Sequence, residues 1–238
     1  MPPPILWEPD TSLHTITDIH PQLASWDKVT YPSQIRLQAY RQPIIEQLLP
    51  LLPQDEPLFL HLDVDVGRQE HLLKQHDLEN YLTPLFGARY LNSAHFFLVT
   101  ARKFVGGGSK LEVGIARPAV ATLFTEGWDY FAYSATGSTQ TKQWKENLRN
   151  TLALANPSPV TAPAAEVQIA WVCSPARNWV SLWKPTGDCM GPVLGEENPL
   201  RPFSPNDDRI TSLKFHRALD DTLGNNVIVH IWWRAATS

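Results

Sequence analysis

The sequence predicts an α+β fold built from two halves that share one order of elements: helix, strand, helix, strand, strand. Three observations predict it. Two stretches with apolar residues at helical spacing recur about 105 positions apart. Each is followed, after a Pro-containing break, by a short β-rich run. Each half then closes on two strand-like runs joined by a turn rich in Gly, Asp or Asn, which reads as a hairpin.

In the first half, "SQIRLQAYRQPIIEQLLPLL" (33–52) is the helix, and Ser33 suits its N-cap. "PLFLHLDVDV" (57–66) is the strand. Its alternation sets Leu62, Val64 and Val66 toward a core and His61, Asp63 and Asp65 on the other face. "QEHLLKQHDLENYLTPLFG" supplies the second helix and ends on Gly87 as a C-cap. "AHFFLVTARKF" and "LEVGIA" are the closing strands, and the glycines of "VGGGSK" between them read as a mobile turn.

The second half repeats the order. "STQTKQWKENLRNTLALA" (138–155) opens on Ser138, and "EVQIAWVC" (166–173) is its strand. "RNWVSLWKPTGDCMGPVLG" ends on Gly195, and "RITSLKFHRAL" turns through "DDTLGNN" into "VIVHIWW". Extended stretches before each half, "ILWEPDTSLHTI" and "DYFAYSA", are expected to add one strand each. The halves divide into residues 1–122, with an N-terminal extension, and 123–238, with a stiff Pro/Ala-rich surface loop at 155–165.

Composition bounds the function. Hydrophobic residues make up 43%, with nine tryptophans, which suits a folded globular protein. Twenty basic against 24 acidic side chains leave a net charge of −4, which argues against tight, sequence-independent binding of a phosphate backbone. Cys173 and Cys189 lack zinc-finger spacing and suit a reducing compartment. No run approaches the roughly 18 apolar residues that span a membrane, so a soluble, cytoplasmic protein without a membrane partner is expected.

The run from "AYRQPIIEQLL" through "HDLENYLTPLFGARYLNSAHFFLVTARKFVGGGSKLEVGI" resembles the RusA-type Holliday junction resolvases, and the likeness recurs more faintly over 138–233. The resemblance implies two RusA-like halves forming an internal pseudo-dimer, in place of the family's homodimer. It also implies a Mg²⁺ site built from two carboxylates of the "DLEN" motif, a third before the closing strands, and a nearby lysine. Carboxylate oxygens suit a hard cation, which activates water and offsets phosphoryl charge.

Carried across, Asp77 and Glu79 take the first two positions, as catalytic and metal-binding residues. The third carboxylate falls at Asn92 or Ser93, and the lysine at Thr83. In the second half, Pro185 and Gly187 stand where the paired carboxylates belong and Asp188 one step beyond. Asp207 and Asp208 fill the third position. Each half keeps what the other lacks, so one composite site requires the two to meet. Asp77 and Glu79 also suit a solvated helix start, and Asp207 and Asp208 an ordinary turn. Asp63 or Asp65 could replace the lost carboxylate if either faces Asp77.

Arg102, Lys103 and Lys110, with Lys214 and Arg217, are candidate phosphate contacts along one hairpin face, or charges that protect edge strands. In "IWWR", one indole is expected in the core and the other beneath the partner half or another protein. The missing groups favour a catalytically impaired module that binds nucleic acid, branched DNA first, or a protein partner. The alternative is a Mg²⁺-dependent, structure-selective endonuclease with one composite site.

Overall fold

The computed structural model describes residues 4–24, 27–28, 30–74, 77–87, 90–119, 127–139, 141–198 and 200–236. The expected division at 122/123 lies outside them. Among the described residues, eight strands form one mixed sheet: β1 (Trp7–Ile19), β2 (Leu58–Asp65), β3 (Phe96–Phe104), β4 (Ser109–Pro118), β5 (Asp129–Ala135), β6 (Ala165–Cys173), β7 (Ile210–Leu219) and β8 (Val227–Ala235). Their order across the sheet is β1-β4-β2-β3-β7-β6-β8-β5. Both extended stretches before the halves thus become edge strands, β1 and β5.

The helices among the described residues are α1 (Pro32–Leu48), α2 (Leu78–Leu82), α3 (Lys142–Leu154), α4 (Val180–Gly187) and α5 (Gly191–Leu194). The i, i+4, i+8 spacing of Trp144, Leu148 and Leu152 puts one face of α3 into the core, and all three are buried. α1 buries Leu37, Ile44, Ile45 and Leu48. Ile44, Ile45 and Leu48 meet Leu60, Leu62 and Val64 of β2 and Val167, Ile169 and Trp171 of β6 in one apolar cluster. The expected serine caps are not used: Tyr31 and Thr141 precede the helices, and neither caps with its side chain. Ser33 lies inside α1 and bonds Asp27 instead.

The closing runs are strands, but they are not hairpins. β2 lies between β3 and β4, parallel to the first and antiparallel to the second, and β6 lies likewise between β7 and β8. The turn from 105 to 108 therefore crosses a whole strand, about 10 Å of sheet, which four extended residues can span. Gly106, Gly107 and Gly108 all have positive φ there. The turn is organised rather than slack: the Asp65 carboxylate accepts hydrogen bonds from the backbone N–H of Gly67, Gly106 and Gly108 at 2.8–3.0 Å.

β3 and β7 join the two groups of four strands, antiparallel, with Thr100 opposite Lys214. Both parallel pairs carry one register shift at the same place, between Leu58 and Phe59 and between Ala165 and Glu166. The helices cover the face of Leu60 and Leu62. Small clusters around Trp7 and Trp232 cover parts of the other. Trp233 enters the main core, and its Nε1 donates to the Ser158 carbonyl. Trp232 is covered by Leu6 of the chain's own N-terminal segment rather than by a separate partner.

Candidate functional site

Asp77 immediately precedes α2 in an extended conformation, and Asn80 Nδ2 donates to its Oδ2 at 2.9 Å. Glu79 lies in the first turn, 7% exposed. The 3-10 turn Asp207–Arg209 leads into β7. Arg209 braces this turn by donating to the carbonyls of Val160, Ala162, Pro163 and Leu194. The β3–β7 pairing sets that turn beside α2, and Asp77 shares side-chain hydrogen bonds with Asp207 and Asp208. The carboxylates divided between the halves therefore meet.

Two lysines join them. Lys184, in the last turn of α4, lies 3.2 Å from Glu79, 3.2 Å from Asp188 and 3.6 Å from Asp207. Glu79 Oε1 has that ion contact but no hydrogen bond of good geometry. Lys103, on β3, donates from Nζ to the Asp208 carbonyl at 2.5 Å. Lys145 reaches Asp188 at 3.2 Å. A cavity of about 560 Å³ opens here, lined by Asp77, Asn80, Lys184, Asp188, Asp207 and Asp208 among others.

Crowding sets the protonation. Burial, and then Asp207 and Asp208, push Asp77 up to about 8. Burial pushes Glu79 up to about 7 against the opposing pull of Lys184. Asp207 is raised by burial too. Burial lowers Lys103 to about 8, whereas around Lys184 the carboxylates together outweigh burial and raise it. Five carboxylates (Asp77, Glu79, Asp188, Asp207, Asp208) face three ammonium groups (Lys103, Lys145, Lys184).

The carboxylate oxygens of this set suit a hard divalent cation in chemistry, and burial above all holds Asp77, Glu79 and Asp207 above the usual carboxylate range. Among the described residues, however, no group of three or more His, Cys, Asp or Glu side chains is arranged to hold a metal ion. The Lys184 ammonium lies among the carboxylates instead. Asp77 and Glu79 do not act as a self-contained pair: Asp77 engages Asp207 and Asp208, and Glu79 engages Lys184.

The other candidates separate by face. Asp63 is buried on the opposite face, where Arg102 pairs with it and Lys110 lies 3.4 Å away. His61 bridges Asp63 and the Thr100 hydroxyl there. Asp65 caps the glycine turn. Neither aspartate replaces the lost carboxylate. Because adjacent strand residues alternate, Arg102 and Lys103 point apart, and no single hairpin face collects all five cations. Arg102, Lys110 and Lys214 lie on one face, and Lys103 and Arg217 on the other. Thr83 and Asn92 only close local turns, Thr83 onto the Glu79 carbonyl and Asn92 onto the Ala94 N–H.

Sequence reasoning sought the site lysine in the first half, at Thr83, and missed Lys184. The one local signal was "KPTGD", whose i, i+4 spacing pairs Lys184 with Asp188. Compared with models of protein families and with curated proteins, the chain has no match in either.

Proposed function

We propose that the chain is an internal pseudo-dimer of two RusA-like units whose single composite site cleaves a phosphodiester bond of branched nucleic acid with Mg²⁺. One observation carries the reading: Asp77 and Glu79 from the first half lie with Asp207 and Asp208 from the second, around Lys184 and Lys103. Several further features support it. Read from each edge inward to the seam, the strand order β1-β4-β2-β3 recurs as β5-β8-β6-β7, and the register shift recurs with it.

Asp77, Asp207 and Asp208, with Glu79 beside them, would hold the ion, which supplies an activated water and offsets phosphoryl charge. Lys184, its side chain 47% exposed, is placed to stabilise charge on a phosphate oxygen that enters the cavity. Arg209 fixes the Asp207–Asp208 turn in position. Asp77 and Lys103, both brought to about 8, and Glu79, brought to about 7, are groups able to hold or release a proton near neutral pH.

The Lys184 ammonium among the carboxylates favours a second reading, a binding module whose site is already neutralised. Cleavage of a labelled four-way DNA junction and a linear duplex, with Mg²⁺ or Mn²⁺, separates the two. The nuclease reading expects junction cleavage lost by about 100-fold in both Asp77→Asn and Asp207→Asn. Tight junction binding by wild type in Ca²⁺, with no cleavage under either active metal, decides for the binding module.

A further inference from the structure

The counterpart of the acidic cavity, across the β3–β7 seam, is cationic. This second cavity, of about 450 Å³, lies between the 3-10 turn Ser93–His95 and the segment 175–180. Asn92, Ser93, Arg177, Asn178 and Arg217 line it. Ser93 and Ala94 stand where the other turn carries Asp207 and Asp208, and Arg217 stands where β3 carries Lys103. All three correspondences have the same offset of 114 positions.

Arg217 is 2% exposed. Its two terminal nitrogens donate to the carbonyls of Ala94 and Pro175, at 2.6 and 3.0 Å, and each keeps a second N–H. Among the described residues, neither Arg217 nor Arg177 forms an ion pair. The Nε of each is buried without a hydrogen-bond partner. Backbone carbonyls solvate a guanidinium but do not neutralise it, so burying one without a carboxylate is unfavourable unless an anion joins it. Two guanidinium groups with neutral amide and hydroxyl neighbours suit a tetrahedral oxyanion, because Arg donates to phosphate in a fork.

We propose that this cavity binds a phosphate group, and that in the working protein it holds a backbone phosphate of a nucleic-acid strand that is not cut. The first half of this statement stands on the cavity alone. The second rests on the nuclease reading above, and implies one nick per bound junction rather than two.

Two arms test it. In the first, thermal unfolding is followed in inorganic phosphate against chloride of equal ionic strength, for wild type, Arg177→Gln and Ala94→Asp. Arg217 is left intact, because it also braces two carbonyls. Ala94 is exposed, so Ala94→Asp adds a carboxylate beside the cavity without entering the core. Phosphate should raise the unfolding temperature of wild type by about 2 °C or more and leave both variants unmoved.

In the second arm, a four-way DNA junction labelled on each strand is bound in Ca²⁺ and then cut in Mg²⁺. Each variant should bind about fivefold or more weakly, with a salt slope reduced by about one for Arg177→Gln. Cuts should fall on one strand per encounter. Phosphate protection lost in both variants supports the cavity even if wild type cuts nothing, a result that faults only the nuclease reading. Variants indistinguishable from wild type toward phosphate and junction overturn the proposal. Equal cutting of two strands in one encounter overturns its second half.

Discussion

Lys103 and Arg217 make the same contact from opposite sides of the β3–β7 seam. Lys103 Nζ donates to the Asp208 carbonyl and Arg217 Nη1 to the Ala94 carbonyl, so each strand braces the turn that leads into the other. Both donors and both acceptors are 114 positions apart. Arg217 also holds the Pro175 carbonyl. Hydrogen bonds to charged groups contribute roughly 1.5–3 kcal/mol each. Arg217→Met should therefore cost about 3 kcal/mol in urea unfolding and Lys103→Met about half of that. No cost in Arg217→Met would mean that its two carbonyl contacts contribute nothing.

The acidic cavity predicts a pH profile of unusual sign. Asp77 and Glu79 have folded values of about 8 and about 7, above those of an unfolded chain, and Asp207 is raised as well. The folded state therefore binds more protons between about pH 4 and 8, and stability falls as pH rises through that window. Because burial also lowers His61, His216 and His230, which destabilise the fold below about pH 6.5, the carboxylate effect shows above that value: metal-free protein should melt higher at pH 6.5 than at pH 8.5, and Asp77→Asn should flatten the slope. Mg²⁺ should raise the melting temperature most at the alkaline end, since it replaces the lost protons. A wild-type profile flat from pH 6.5 to 8.5, and unchanged in Asp77→Asn, would show that these carboxylates are not buried together.

Asp65 has the opposite sign. Three backbone N–H groups hold its carboxyl below the usual range, so its contribution is present above about pH 4 and is lost as pH falls through the lowered folded value. Asp65→Ala should lower the melting temperature at pH 7 and make little difference at pH 2.5. The same loss at both values would assign its effect to something other than the carboxylate.

Gly114 lies on β4 at the point where β1 bulges. A Cβ there would overlap the Thr11 carbonyl oxygen and the Phe59 ring. Gly114→Ala should cost about 1–3 kcal/mol through overpacking and speed amide exchange in β1 before the rest of the sheet. Uniform exchange across all strands would show that β1 does not open separately.

Much of the fold was legible because it depends on local periodicity. The alternation of "LHLDVD" fixes which side chains of β2 face the core, and the spacing of Trp144, Leu148 and Leu152 fixes the buried face of α3. Both follow from the geometry of one segment, whatever lies beside it. The sequence also pointed to split carboxylates, since Asp77 and Glu79 occur in one half and Asp207 and Asp208 in the other.

Strand pairing was not legible. A glycine turn between two apolar runs reads as a hairpin, and only the packed sheet reveals β2 inserted between β3 and β4, with Asp65 beneath the turn. The site lysine was hidden for the same reason. Lys184 and Glu79 are 105 positions apart, and each has an ordinary local role, one as a helix-end cation and the other as a first-turn anion. Residue types and their faces are properties of the chain. Which charges come within 4 Å of one another is decided by the β3–β7 seam, because hydrogen-bond register and helix packing set those distances across segments that carry no local record of each other.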